Sequence, residues 1–127
     1  MTRLTSAILL LILCAFQTIS FKDAQRRYPR VRQAYQDKES SMLGLLQKQE
    51  IDKGKLNIYI RAFKDDKAIE LWGKNRSDSV YKLIKTYEVC ATSGKLGPKR
   101  KQGDRQIPEG FYHIDRFNPA SNFYLSL

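Results

Sequence analysis

LNIYIRAF, Leu56 to Phe63, is the stretch whose periodicity decides the fold. Leu56, Ile58, Ile60 and Ala62 alternate with Asn57, Tyr59, Arg61 and Phe63, the twofold spacing that sends successive side chains to opposite faces of a strand. Asp65-Asp66-Lys67 follows as a turn. Ile69 and Leu71 then alternate with Glu70 and Trp72, so the two segments read as a hairpin. Asn75 to Ser79 supplies the next turn, and Val80 to Cys90, rich in Val, Ile, Tyr and Thr, reads as a third strand. Phe111 to Phe117 alternates again, Asn118-Pro119-Ala120-Ser121 turns the chain, and Phe123 to Leu127 reads as the start of a further strand. The expected fold class is therefore mainly β. Phe123, Leu125 and Leu127 alternate up to an apolar last residue with no cap or polar tail, the pattern expected of a chain cut inside its own fold.

Upstream of the twofold pattern the character changes. Residues 21–50 are rich in Arg, Lys, Gln and Glu, with Val31, Ala34, Tyr35 and then Met42, Leu43, Leu45 and Leu46 as their apolar content. Pro29 in a first turn predicts a helix from about Pro29 to Lys38, and a second is predicted from about Ser41 to Gln49, with Gly44 as an interruption. Together they form a helical N-terminal arm. Residues 1–20 stand apart: Arg3 precedes an apolar run from Ala7 to Phe16, followed by a more polar stretch in which Thr18 and Ser20 are small residues at a cleavage site. This is the pattern of a secretory signal peptide, and about ten apolar residues fall short of the roughly 20 that span a bilayer. The expected organisation is a signal peptide at 1–20, the arm at 21–50 and a domain from residue 51 to 127, exported to the cell envelope, in the periplasm, with no stable transmembrane segment after cleavage.

With 127 residues, 42% of them hydrophobic, and a formal charge of +10, the chain has room for one small core and is too apolar to be disordered throughout. Cys90 is the only cysteine outside the leader, so no internal disulfide forms in the mature chain. The positive charge would draw an exported protein to anionic polymers and lipids of the envelope; export argues against nucleic acid as the partner.

The loop between the third strand and the aromatic segment, GKLGPKRKQGDRQIPEG from Gly94 to Gly110, is dense in glycine, proline and cations. It lacks the order of a phosphate-binding loop and opens no helix, so it reads as a rigid corner. Gly94, Gly97 and Gly103 permit positive φ, while Pro98 and Pro108 stiffen the chain. Ile107-Pro108-Glu109-Gly110 has the proline and glycine placement of a turn. Lys95, Lys99, Arg100, Lys101 and Arg105 sit on this loop, either solvated or facing carboxylates. Cys90 is in phase with Val80 and Ile84, with nothing around it that resembles a nucleophile elbow, and His113 is in phase with Phe111 and Phe117. Cys90 reads as a packed or half-buried thiol and His113 as a structural residue. With one histidine in the chain a zinc site has no support. Tyr59, Phe63, Trp72, Tyr81 and Tyr87 on adjacent strands are candidates for a stacking platform, or for ordinary ladder residues.

Ile58-Tyr59-Ile60, Phe63-Lys64, Leu71-Trp72, Tyr87-Glu88-Val89-Cys90, Ser93-Gly94-Lys95-Leu96-Gly97-Pro98-Lys99, Gln102-Gly103-Asp104 and Pro108-Glu109-Gly110-Phe111-Tyr112 together resemble the YafK-like branch of the YkuD-type L,D-transpeptidases over about Ile51 to Leu127. The resemblance implies the N-terminal part of an L,D-transpeptidase-type β-sandwich, here incomplete. It implies cysteine acyl transfer at meso-diaminopimelate stem peptides of peptidoglycan in cell-wall remodelling, with no metal or organic cofactor. The family's nucleophilic cysteine and its histidine belong to a Ser-x-Gly-Cys and a His-Gly element downstream of the strand that begins at Phe123. No catalytic residue is thus expected among these 127 residues, and the chain alone is expected to be inactive. The family-signature loop residues are Ser93, Gly94, Gly97, Pro98, Lys99, Gln102, Gly103, Asp104, Pro108, Glu109 and Gly110, with Tyr124 and Ser126 toward the cleft. The alternative is a non-catalytic envelope-binding module that uses the basic loop and the aromatic strands.

Overall fold

The computed structural model describes residues 19–127, so the expected signal peptide falls almost wholly outside the described residues. The chain divides into two compact units, one of residues up to Tyr35 with Arg116–Leu127, the other Gln36–Asp115. Among the described residues there are two helices, α1 (Phe21–Gln25) and α2 (Pro29–Lys48), followed by three strands, β1 (Leu56–Phe63), β2 (Ala68–Asn75) and β3 (Lys82–Glu88). Among the described residues no helix is long and apolar enough to cross a membrane.

The two expected arm helices are one. Pro29 occupies the first position of α2, where its missing N–H is no loss, and the helix runs unbroken through Gly44. A Cβ at Gly44 would meet nothing within 4 Å, and glycine inside a helix costs only about 1 kcal/mol relative to alanine, too little to end a run continued by Leu45 and Leu46. The helix ends in a Schellman arrangement: Glu50 takes a left-handed φ of 58°, its N–H donates to the Gln47 carbonyl, and Ile51 N–H donates to the Leu46 carbonyl at 3.0 Å. The usual apolar contact accompanies it, since Leu46 and Ile51 are both buried in one cluster with Ile84.

The sheet has the order β1-β2-β3, antiparallel throughout. Ile58 pairs with Gly73 and Ile60 with Leu71, as the hairpin pattern requires, and the 64–67 turn closes with Lys67 at φ 48°. The Asn75–Ser79 turn forms with Asp78 N–H donating to the Asn75 carbonyl at 3.0 Å. Asn75 also ties the turn to the helix terminus: its Nδ2 donates to the Glu50 carbonyl at 3.1 Å, and its Oδ1 accepts from Asp52 N–H at 2.8 Å. The Asp78 carboxylate accepts from Asn75 N–H at 3.1 Å and from Asn75 Nδ2 at 3.0 Å, and these bonds, the backbone one foremost, hold it below its ordinary range. A register shift in the β2–β3 ladder between Leu71 and Trp72 accommodates Ile84, whose side chain lies over Gly73. Met42, Leu45, Leu56 and Leu71 pack around the Leu46-Ile51-Ile84 cluster, so the helix covers the sheet face at the Leu56 end. Farther along the same face Ile58 and Ile60 stay 44% and 37% exposed.

The expected strands at Phe111–Phe117 and Phe123–Leu127 do not form; the only pairing there is an isolated bridge between Asn118 and Ser126. Alternation specifies faces, but a strand also needs a partner for its backbone groups. Without one, Phe111 and Phe123 are 94% and 88% exposed. The mainly β expectation thus takes the form of one small three-stranded sheet with one long helix among the described residues.

In the first unit, Ser20 caps α1 by accepting from Asp23 N–H at 3.2 Å. Arg30 Nη1 donates to the carbonyls of Ser121 (2.6 Å) and Tyr124 (3.3 Å), and its guanidinium lies 5.8 Å from the Tyr124 ring centroid.

Candidate functional site

The Gly94–Gly110 loop is ordered by two side chains. Asp104 is the first: its carboxylate accepts from Lys99 Nζ at 2.7 Å, from Arg100 N–H at 2.8 Å, from Lys101 N–H at 2.9 Å and from Gln106 N–H at 3.0 Å. Four donors on one carboxylate stabilise its ionised form, with the Lys99 bond foremost, and hold Asp104 far below its ordinary 3.8. Its side chain is only 14% exposed. The second is Lys64, just past β1. Its ammonium donates to the Gly97 carbonyl at 2.6 Å, the Ile107 carbonyl at 3.2 Å and Glu109 Oε1 at 2.8 Å, and its side chain is 15% exposed. One lysine at the sheet therefore holds both legs of the loop.

The glycines do what the sequence required of them. Gly94, Gly97, Gly103 and Gly110 all have positive φ, from 75° to 136°. At Gly94 the need is steric as well as conformational: an added Cβ would collide with the Gln106 side chain and would lie 2.7 Å from the Arg105 carbonyl. The Gln106 amide oxygen instead accepts from Lys95 N–H, closing the loop on itself. Arg105 reaches φ 57° without glycine's freedom. Ser93, Gln102 and Pro108 are exposed, and Glu109 carries the Lys64 ion pair while its carbonyl accepts from Tyr112 Oη at 3.1 Å.

Inside this frame lies a cavity of about 760 Å³ bordered by Lys95, Arg100, Lys101 and Arg105, with Leu96 and Pro98 as its apolar part. None of those four cationic side chains makes a hydrogen bond or ion pair among the described residues; Lys95, Arg100 and Lys101 contribute only backbone groups to the loop. The one carboxylate on the border, Asp104, is spent on Lys99 and the backbone. The site can therefore stabilise negative charge, and no cysteine, serine or histidine borders it.

The sequence's other candidates are distributed differently. Cys90, expected to be packed or half-buried, is exposed just past the end of β3, and no hydrogen bond joins it to His113. Among the described residues no cluster of His, Cys, Asp or Glu could hold a metal. Tyr59, Phe63, Trp72 and Tyr81 do share one sheet face by the alternation of the ladders, but Tyr87, paired with Ile69, belongs to the other. The expected stacking platform is already occupied by protein cations: Arg61 lies 4.7 Å from the Phe63 centroid and 5.8 Å from that of Trp72, and Lys74 lies 5.1 Å from that of Tyr81. Tyr59 and Tyr81 are tilted by 51° rather than coplanar. Tyr124 and Ser126 belong to the other unit, where Tyr124 Oη donates to the Arg30 carbonyl at 3.3 Å and Ser126 forms the Asn118 bridge. Lys64 is the site residue that sequence reasoning missed; it stood inside a motif without a role, because a lysine after a strand carries no local sign of three acceptors arriving from 33 to 45 residues downstream.

A segment of 72 residues, 55% of the chain, is 39% identical to the Escherichia coli K12 protein named "Putative L,D-transpeptidase YafK". The chain is YafK-like over this segment. The same identity and length hold for the protein of that name in Escherichia coli O157:H7, and in both cases the match spans 28% of the relative's length. No family model and no solved structure matches the chain. The YafK-like resemblance noted from the loop and strand motifs is thus supported by direct comparison, and the structure shows that the loop motif is a framed, cation-lined corner.

Proposed function

We propose that this YafK-like chain belongs to a peptidoglycan L,D-transpeptidase of the cell envelope, in which acyl transfer occurs at meso-diaminopimelate stem peptides. The observation that carries the reading is the 39% identity over 72 residues to a protein named as an L,D-transpeptidase. In that chemistry a cysteine thiolate attacks the carbonyl carbon of the peptide bond, the amine leaves with a proton, and a thioester joins the acyl group to the enzyme. An amine acceptor or water then attacks the thioester and regenerates the thiol. Backbone N–H groups stabilise the oxyanion formed at each stage. Cys90 and His113 are not assigned these roles, because neither has, among the described residues, a partner that would activate it. The nucleophile and base are placed in the family's Ser-x-Gly-Cys and His-Gly elements, and the second sheet of a sandwich belongs to the same proposal.

The test is the muropeptide profile of cells from which the gene has been deleted. A change in products joined or cleaved at meso-diaminopimelate supports the reading, and a profile identical to that of the parent strain overturns it. Incubated alone with such muropeptides, the 127-residue chain is expected to give no hydrolysis or exchange; turnover lost in a Cys90→Ser variant would show that the nucleophile has been misplaced.

A further inference from the structure

We propose that the cavity bordered by Lys95, Arg100, Lys101 and Arg105 binds the carboxylate groups of a small peptide. The inference rests on the peptidoglycan reading for the choice of peptide, and on the structure for the site. Four cations gathered on one cavity repel one another, and none of them forms an ion pair with an acidic side chain among the described residues. Asp104, the one acid present, is held by Lys99 and three backbone N–H groups. An incoming carboxylate would gain charge-assisted hydrogen bonds, bidentate where an arginine supplies them, without first breaking an ion pair.

The frame makes this more than a solvated charge run. Asp104 fixes the backbone between Arg100 and Gln106, and Lys64 fixes Gly97 and Ile107, so the cations project from a loop that has already lost its conformational freedom. Less ordering is then required when a ligand arrives. A cavity of about 760 Å³ falls in the range of small-ligand sites rather than that of a stripe tracking a polymer backbone. Leu96, which is 65% exposed, and Pro98 give it an apolar part. Carboxylates on short hydrocarbon stems match both features.

Binding to the full chain would be measured by calorimetric titration with four probes: a tetrapeptide containing glutamate and diaminopimelate, the same peptide with its carboxyls amidated, tetraglutamate, and inorganic tripolyphosphate. The acid peptide is expected to bind, more weakly as salt rises, and the amidated one to lose at least tenfold. Arg100→Gln with Arg105→Gln should weaken the acid peptide by tenfold or more, whereas Lys48→Gln with Lys53→Gln, which removes the same charge from exposed positions that do not border the cavity, should leave it within twofold. Circular dichroism of both variants checks that the sheet is intact. Equal affinity for acid and amidated peptides, or equal losses in the two variants, overturns the proposal; so does loop-dependent binding of tripolyphosphate alone, which would make this a phosphate site. Loop-dependent binding of tetraglutamate with none of the diaminopimelate peptide would support the carboxylate site and count against the peptidoglycan reading. A changed muropeptide profile with no loop-dependent binding would do the reverse.

Discussion

Asp104 and Lys64 show how single side chains fix a loop that has no regular structure of its own. Asp104 satisfies three backbone donors and one ammonium, so Asp104→Ala should leave the N–H groups of Arg100, Lys101 and Gln106 without their acceptor. Hydrogen exchange should accelerate at those three amides while β2 amides keep their protection; unchanged exchange in the loop would contradict the frame. The sign of the pH dependence follows from the lowered folded-state value. A carboxyl that titrates at 3.8 when unfolded and lower when folded contributes its stabilisation above about pH 4 and loses it as the pH falls through the folded value. Loop protection should therefore be flat from about pH 5 to 8 and fade only in strong acid. Lys64→Met keeps the hydrocarbon stem and removes three donors to the loop, for an expected loss of about 1–3 kcal/mol, read as loosened exchange at Gly97 and Glu109. Three of the four positive-φ glycines, Gly94, Gly97 and Gly103, were legible in the sequence because only glycine adopts that region freely; Gly110 was legible only as the end of a turn. Arg105 and Glu50, which adopt it against their own preference, were not.

At the scale of elements, the helix and the sheet respond oppositely to the same substitution. Gly44→Ala adds a methyl where nothing lies within 4 Å and removes helix-interior glycine, so it should raise the thermal midpoint and stabilise by about 1 kcal/mol. Gly73→Ala adds one where Ile84 Cδ1 lies at 2.5 Å and Leu56 Cδ1 at 3.0 Å, and should destabilise by about 1–3 kcal/mol. A neutral Gly73→Ala would mean that the helix end does not pack on this sheet face. The three strands and their turns were legible because the twofold pattern ran between strong turn residues and each strand had a neighbour to pair with. At Phe111–Phe117 the same alternation had no neighbour, and at Glu39-Ser40, between the two expected helices, α2 continues because no proline or glycine stands there to end it. The aromatic platform was half legible: four of the five rings share a face, but the register shift opposite Leu71 and Trp72 puts Tyr87 on the other.

For the whole molecule, the balance of buried and exposed apolar surface sets the behaviour. Among the described residues only Val31, Leu46, Ile51 and Ile84 are buried hydrophobics, whereas Ile58, Ile60, Leu83 and Tyr87 on the sheet stand more than a third exposed. Both β1 and β3 are edge strands. A small domain with open edges and an uncovered apolar face has little stability in reserve. Sedimentation velocity should show self-association that grows with concentration, and Ile58→Lys with Ile60→Lys should reduce it; a monomer at every concentration would contradict this. The most direct test of the account is an amide-resolved NMR titration of the chain with the diaminopimelate tetrapeptide. The account predicts dispersed strand signals and shifts concentrated between Gly94 and Gln106, fading with salt. Shifts confined to the aromatic strand face, or none at any peptide concentration, would contradict it.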